Sequence, residues 1–209
     1  MRNQRLSRPG RRFALIGKRL AVDFANTVYA PGEPAGALGS WADLADFLEA
    51  TGVVSRAQAA RLQALAPSEA DRCARALSRA LALRRVIRLA LEAIEAGRPV
   101  KPGWVAAVNR LLRVEAGADQ LVPAGAGWRL DRVPKRSDPP AALSPIARSM
   151  AELIAEGRGA PIRRCANPKC VLYFYDDSRT RRRRWCSMAV CGNRVKVAGH
   201  ARRRSDGAI

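Results

Sequence analysis

Cys165-Ala-Asn-Pro-Lys-Cys170 and, after fifteen further residues, Cys186-Ser-Met-Ala-Val-Cys191 form two cysteine pairs of identical spacing. Two short knuckles bridged by a hairpin-sized insert can wrap four thiolates tetrahedrally around one Zn²⁺. A rubredoxin-type iron site would use the same four thiolates, and the spacing does not separate the two metals. A redox dithiol has two intervening residues rather than four. Disulfides need an oxidising compartment. Arg11-Arg12 followed by Phe13-Ala14-Leu15-Ile16 resembles a twin-arginine signal, but Lys18-Arg19 and Asp23 break the apolar run at once, so a cytoplasmic protein is expected. The fifth cysteine, Cys73, stands alone in a helical stretch and reads as a small buried hydrophobe.

The charge collects around the same cysteines. The chain of 209 residues carries a formal net charge of +20, with a pI near 11.4. Residues 161 to 209 hold thirteen Lys+Arg against three Asp+Glu, whereas the first 160 hold twenty-five against fifteen. Both parts therefore carry +10, but the second is a third as long. That density favours a polyanionic partner, although abundant arginine and alanine also suggest GC-rich coding. Nearly half the residues are apolar, enough for a core, and no apolar run approaches the ~20 residues of a membrane span.

Upstream, the pattern is helical. Residues 1–11 read as a disordered basic tail. Leu15 to Tyr29 is apolar, and Pro31, Gly32, Pro34 and Gly36 force a loop. Ser40 with Asp43 opens a helix through Leu44, Phe47 and Leu48 that stops at Gly52. Ser55 caps a second helix, through Leu62 and Leu65, ended by Pro67. Ser68 is expected to open the longest helix, to about Ala96, with an apolar stripe at Leu77, Leu81, Val86, Ala90 and Ile94. Trp104, Val108, Leu111 and Leu112 mark another. Leu121-Val122 and Trp128 to Leu130 flank a Pro/Gly turn, the pattern of a β-hairpin. Ile146, Met150, Leu153 and Ile154 mark a last helix before Gly157. The fold class is thus mainly α with small β-hairpins (α+β): a helical domain at 12–157, a linker at 158–162, and a treble-clef-like four-cysteine zinc module at 163–205.

Within that module Val171 to Tyr175 reads as a strand, Asp176-Asp177-Ser178 as a turn, and Arg181 to Trp185 as the antiparallel return. Ser187 suits a helix N-cap, so that Cys186 precedes the helix and Cys191 lies in its first turns. At 100° per residue from Cys191, Val195, Ala198 and Arg202 fall on the metal side, with Lys196, His200 and Arg203 outward and Arg204 nearby. Arg181, Arg182, Arg183 and Arg184, with Lys196, His200, Arg203 and Arg204, are the candidate phosphate contacts; the plainer reading is a solvated surface. Four thiolates and Zn²⁺ sum to a double negative charge, and Arg194, beside Asn193, is the candidate to compensate it. The module is too small to bury a core alone, so removing zinc should unfold it while the helical domain survives.

The run from Arg183 to Lys196, Arg-Arg-Trp-Cys-Ser-Met-Ala-Val-Cys-Gly-Asn-Arg-Val-Lys, resembles the CGNR zinc-finger family. Cys165 to Cys170, then Phe174, Asp176 or Asp177, and Ser178, fit the same pattern, with Thr180 standing where asparagine is expected. Leu20 to Thr27 and the helices after it resemble the ABATE domain that accompanies this finger. The resemblance implies a bacterial, cytoplasmic, stress-induced transcription regulator.

The helical domain offers Asp23 and Asn26, close in sequence, and Arg84 and Arg88, one turn apart. They could assemble a pocket for a small anionic effector; an internal Asp–Arg pair that fixes packing is the plainer reading. No catalytic constellation is present, since His200 is the sole histidine and four cysteine ligands leave zinc no open position. The expected function is nucleic-acid binding, DNA favoured over RNA, as a transcription regulator and not an enzyme. An RNA-binding or ribosome-associated protein, with Tyr173 and Tyr175 as stacking platforms, and a zinc-stapled protein-interaction module are the alternatives.

Overall fold

The structure is a computed structural model whose described residues are 12–29, 36–65, 67–114, 117–124, 127–134 and 141–198. The expected tail at 1–11, the loop residues Pro31, Gly32 and Pro34, and His200, Arg202, Arg203 and Arg204 lie outside them.

Among the described residues, six α-helices precede the four finger cysteines: α1 (Leu20–Ala25), α2 (Trp41–Ala50), α3 (Arg56–Ala64), α4 (Ala70–Glu95), α5 (Pro102–Val114) and α6 (Ser144–Glu156). Local chemistry sets several ends. Ser40 with Asp43 and Ser55 with Gln58 each close a reciprocal capping box. Gly157 ends α6 with φ +66, a conformation glycine adopts without strain. Between α5 and α6, β1 (Gly117–Ala124) and β2 (Gly127–Pro134) pair antiparallel with Leu121 opposite Leu130, a longer hairpin than the sequence suggested. No described helix is long and apolar enough to cross a membrane.

α1 is the hub. Ala21, Val22, Phe24 and Ala25 are fully buried, and α1 packs against both α4 and α6. Phe13 and Phe24 each meet the Phe47 ring at 5.5 Å, and the Trp41 indole donates to the Leu62 carbonyl at 2.7 Å. Two details of α4 differ from expectation. Glu69, not Ser68, occupies its N-cap, and the Ser68 hydroxyl donates back to the Leu65 carbonyl. The buried face runs through Cys73, Ala76, Ala80, Leu83, Ile87, Ala90, Leu91 and Ile94. Leu77, Leu81 and Val86 are only half-buried, and the small Ala76 and Ala80 take the buried positions instead.

The sheet of the cysteine module is the main correction. β4 (Tyr173–Tyr175) pairs antiparallel with β3 (Ile162–Arg164), which ends the expected linker, and not with Arg181 to Trp185. Residues 181–185 form no strand: Arg181 sits at φ +48, and the Arg183 N–H goes to the Asp176 carboxylate rather than to a neighbouring strand. The ladder continues beyond the strands through Cys165 N–H to Leu172 O and Asp176 N–H to Pro161 O.

Candidate metal centre and basic surface

Cys165 follows β3, Cys170 closes a knuckle whose Asn167 carbonyl accepts the Cys170 N–H at 2.9 Å, and Cys186 precedes the second knuckle. There Ser187 caps the turn by accepting the Val190 N–H, as expected. The turn itself, Met188–Gly192, is a π-turn, with Gly192 N–H reaching the Ser187 carbonyl five residues back. It leads into α7, residues 193–198. Gly192 is required: a β-carbon there would lie 2.3 Å from both Met188 Sδ and Trp185 Cδ1.

The four sulfurs lie within 4.8 Å of one another, with Cys170 to Cys186 at 3.8 Å and Cys186 to Cys191 at 3.5 Å. A tetrahedron with Zn–S bonds of ~2.3 Å has edges of about 3.8 Å, so the donor set fits one Zn²⁺. Sulfurs this close cannot all ionise unaided. Cys165 is pulled down to about 2, first by hydrogen bonds from the Cys170 and Cys186 thiols. Those donors are both pushed up, Cys170 to about 12, chiefly by bonding to Cys165. A divalent cation replaces the shared protons, so metal uptake releases them. The Cys186 N–H also points at Cys165 Sγ, 3.4 Å away.

The arginine run divides. Arg183 is structural: Nε donates to the Trp185 carbonyl at 3.0 Å, Nη2 to the Cys186 carbonyl, and the guanidinium lies 4.4 Å over Phe174. It clamps the entry to the second knuckle, whereas Arg194, exposed like Asn193, makes no hydrogen bond to the cysteines. Arg181, Arg182 and Arg184 are exposed, with Arg184 stacked 4.5 Å over Trp185. Lys196 is exposed as expected, but so is Ala198, which had been placed on the metal side. Val195, half-buried, keeps the side expected of it, so the departure is confined to the end of α7.

Asp176 is the residue whose importance the sequence understated. It is fully buried and accepts from the Ser178 N–H (3.2 Å) and hydroxyl (2.6 Å) and the Arg183 N–H (2.9 Å), with Arg163 Nε at 3.5 Å. Burial alone would raise its carboxyl, yet these donors hold it below the ordinary value. Its signals were its place in an Asp-Asp-Ser turn and in the CGNR pattern, neither of which separates it from Asp177.

A groove of about 870 Å³ runs between the segment Leu15, Ile16 and Lys18 and the finger. Trp185 and Met188 line it with Arg182, Arg184 and Lys196. Arg182, Arg184 and Lys196 make no ion pair among the described residues, and Lys18 pairs with Asp177 at 3.2 Å.

A family model described as "ABATE: Putative stress-induced transcription regulator" matches residues 18–157, and a CGNR zinc-finger model matches residues 162–204. The chain belongs to the ABATE family. Its CGNR finger holds a single structural zinc through four cysteines, and neither family is enzymatic. No curated protein matches the chain.

The finger is docked on the ABATE helices rather than tethered to them. Ile162 and Tyr173 belong to the helical apolar core, while Ala14 and Ile16 pack with Cys165, Leu172, Phe174, Cys186 and Cys191. Asn26, fully buried, joins the two. Its Nδ2 donates to the Tyr173 carbonyl at 2.8 Å, and its Oδ1 accepts the Tyr173 N–H at 2.9 Å. The Tyr175 N–H donates to the Gly17 carbonyl at 3.0 Å. The expected grouping of Asp23 and Asn26 with Arg84 and Arg88 does not form. Asp23 accepts the Gly17 N–H at 2.7 Å, and burial, opposed by the Gly17 and Ile16 N–H groups, raises it to about 7. Arg84 donates to the Thr27 carbonyl and hydroxyl, and Arg88 to the carbonyls of Ala25 and Val171. No Asp23–Arg pair is present among the described residues. Tyr173 is buried under Arg88, and Tyr175 lies under Arg19 with its hydroxyl on Glu156, so neither ring is free to stack on a base.

Proposed function

We propose that this ABATE-family protein is a DNA-binding transcription regulator whose contact surface is the basic groove beside the zinc site. The observation that carries this reading is the set Arg182, Arg184 and Lys196, exposed, without a carboxylate partner among the described residues, and arranged around one groove. Cations held on a metal-fixed scaffold meet phosphates with little further ordering. Arg181 adds charge nearby, while Arg183 is committed to the knuckle. His200, Arg203 and Arg204 extend the basic sequence beyond the described residues. The same surface would accept RNA phosphates, but the two tyrosines suited to base stacking are engaged elsewhere, which favours DNA. Zinc acts here as a staple: it fixes the groove and takes no part in a reaction.

The test is binding of a duplex to the zinc-loaded protein across a salt series. Each phosphate contact adds about −0.9 to the slope of log K against log salt. Arg182→Ala with Arg184→Ala should therefore flatten the slope by up to ~1.8 while zinc content stays at one per chain. An unchanged slope assigns both arginines to solvent, and equal affinity for matched RNA removes the preference for DNA.

A further inference from the structure

We propose that the cleft between α4 and β4 binds a small organic anion, a phosphate or carboxylate head on a short apolar body, and that its occupancy loosens the finger. The cleft encloses about 420 Å³, within the range of small-ligand sites, and brings together Arg84, Arg85 and Arg88 with Tyr173 and the apolar Leu81 and Leu89. Arg84 and Arg85 lie four and three residues before Arg88, so each neighbours Arg88 on the helix surface. Among the described residues none of the three guanidinium groups has a carboxylate within ion-pair distance. Arg84 and Arg88 bond only neutral oxygens, and Arg85 is exposed with no hydrogen bond. Glu92, the acid of the lining, is engaged by Arg98 at 3.2 Å.

Two half-buried cations one turn apart, with no carboxylate in contact and only a longer-range pull from Glu92 on Arg88, are an incomplete arrangement. Burial first, and for Arg84 the neighbouring Arg88 charge next, pulls both below the ordinary arginine value. An anion relieves both effects, and the guanidinium fork suits phosphate and carboxylate alike. Leu89, 40 % exposed, and Leu81 offer the apolar wall.

Arg88 makes the site more than a sink for anions. Its bonds to the carbonyls of Ala25 and Val171 span 3.3 to 3.4 Å, long beside the ~2.7–2.9 Å of charge-assisted bonds. An anion therefore competes for Arg88 against Val171, the residue that follows the zinc ligand Cys170. Binding in the cleft draws Arg88 off the first knuckle.

Calorimetric titration of phenyl phosphate and of benzoate into the full-length, zinc-loaded protein tests the site, with phenol and inorganic phosphate as partial probes. One saturable site per chain is expected, tighter for either whole probe than for phenol or inorganic phosphate. Arg85→Gln, at an exposed position without partners, and Arg84→Gln should each weaken it roughly tenfold or more, the ordinary loss for a bond between charged groups. Arg182→Ala with Arg184→Ala should leave it unchanged. No saturable heat with either whole probe, or loss in the Arg182/Arg184 protein but not in Arg85→Gln, would overturn the site. Amide exchange at residues 171–173 should quicken on saturation; unchanged exchange in the bound protein would overturn the coupling. No nucleic acid enters any arm, so the outcome is independent of the DNA reading.

Discussion

Replacing Asn26 by Ala tests whether the finger and the helical domain are one structure. The Asn26 amide is fully buried and satisfies both the N–H and the C=O of Tyr173, at 2.9 and 2.8 Å. Those groups point away from β3, since the ladder uses the alternate residues Leu172 and Phe174. They have no other partner to turn to, and Tyr173 itself is 4 % exposed. A buried backbone group left unpaired costs about 1–3 kcal/mol, so two of them cost about 2–6 kcal/mol. Against a total stability of about 5–15 kcal/mol that is a large fraction, and even the lower bound shifts Tm by roughly 4–8 °C for a chain of this size. Denaturant melts of the zinc-loaded protein measure the free energy. Asn26→Asp separates the bonds, because a carboxylate accepts the N–H but cannot donate to the carbonyl. A loss below ~0.5 kcal/mol in Asn26→Ala, within the range of ordinary surface changes, would show that water replaces the amide and that the joint is open.

Zinc removal by chelation, or Cys186→Ser, should lower the melting midpoint of the helices as well as the finger, because Ile162 and Tyr173 sit in the helical core and Ile16 in the finger cluster. An unchanged helical midpoint by circular dichroism would restore the independent module that the sequence suggested. Asp23, raised to about 7 by burial, binds its proton more tightly folded than unfolded, where its pKa is about 3.8. Its contribution is intact below about 4 and declines as pH rises towards 7. Asp23→Asn keeps an oxygen for the Gly17 N–H and should flatten that slope in a pH series of melts; an identical slope would show that Asp23 titrates normally. Gly192→Ala forces Trp185 or Met188 aside and should cost about 1–3 kcal/mol, the usual range for overpacking, with a change in tryptophan fluorescence as the local readout.

What could be read in advance was local. The spacing within each cysteine pair, the Ser40 capping box, the Ser55 cap and the Gly157 stop each depend on residues close together in the chain. The partner of β4 was not legible, because Val171 to Tyr175 pairs with whichever edge the fold supplies. Turn residues at 176–178 made the following segment look like the return. The roles of Arg181 to Arg184 were equally hidden, since four consecutive identical side chains carry no sign that Arg183 alone turns inward. In α7, Lys196 is exposed and Val195 half-buried, as a count from Cys191 has them, and only Ala198, the last described residue, departs. In the helical domain, nothing in the sequence showed that Asn26 and Arg88 also reach backbone groups of the finger, more than eighty residues away.

Those distant partners explain how a module of this size keeps one orientation. A β-strand in a two-stranded sheet presents one paired and one unpaired edge, and β4 uses both. Its inner edge meets β3 and carries the ladder on to Cys165. Its outer edge is taken by the Asn26 amide and the Gly17 carbonyl, which stand in for a third strand. The cysteines fix the far end of the finger, and β4 fixes the near end to α1. Lys18 follows Gly17 directly and lines the groove opposite Arg182, Arg184 and Lys196. The groove is thus assembled from both halves of the chain, which the hydrogen bonds on the outer edge of β4 join. A finger excised from the helices would keep its four sulfurs but lose Ile16, Lys18 and the seal on its outer edge. The unit that presents the basic groove is therefore the full chain, with zinc holding one side and Asn26 the other.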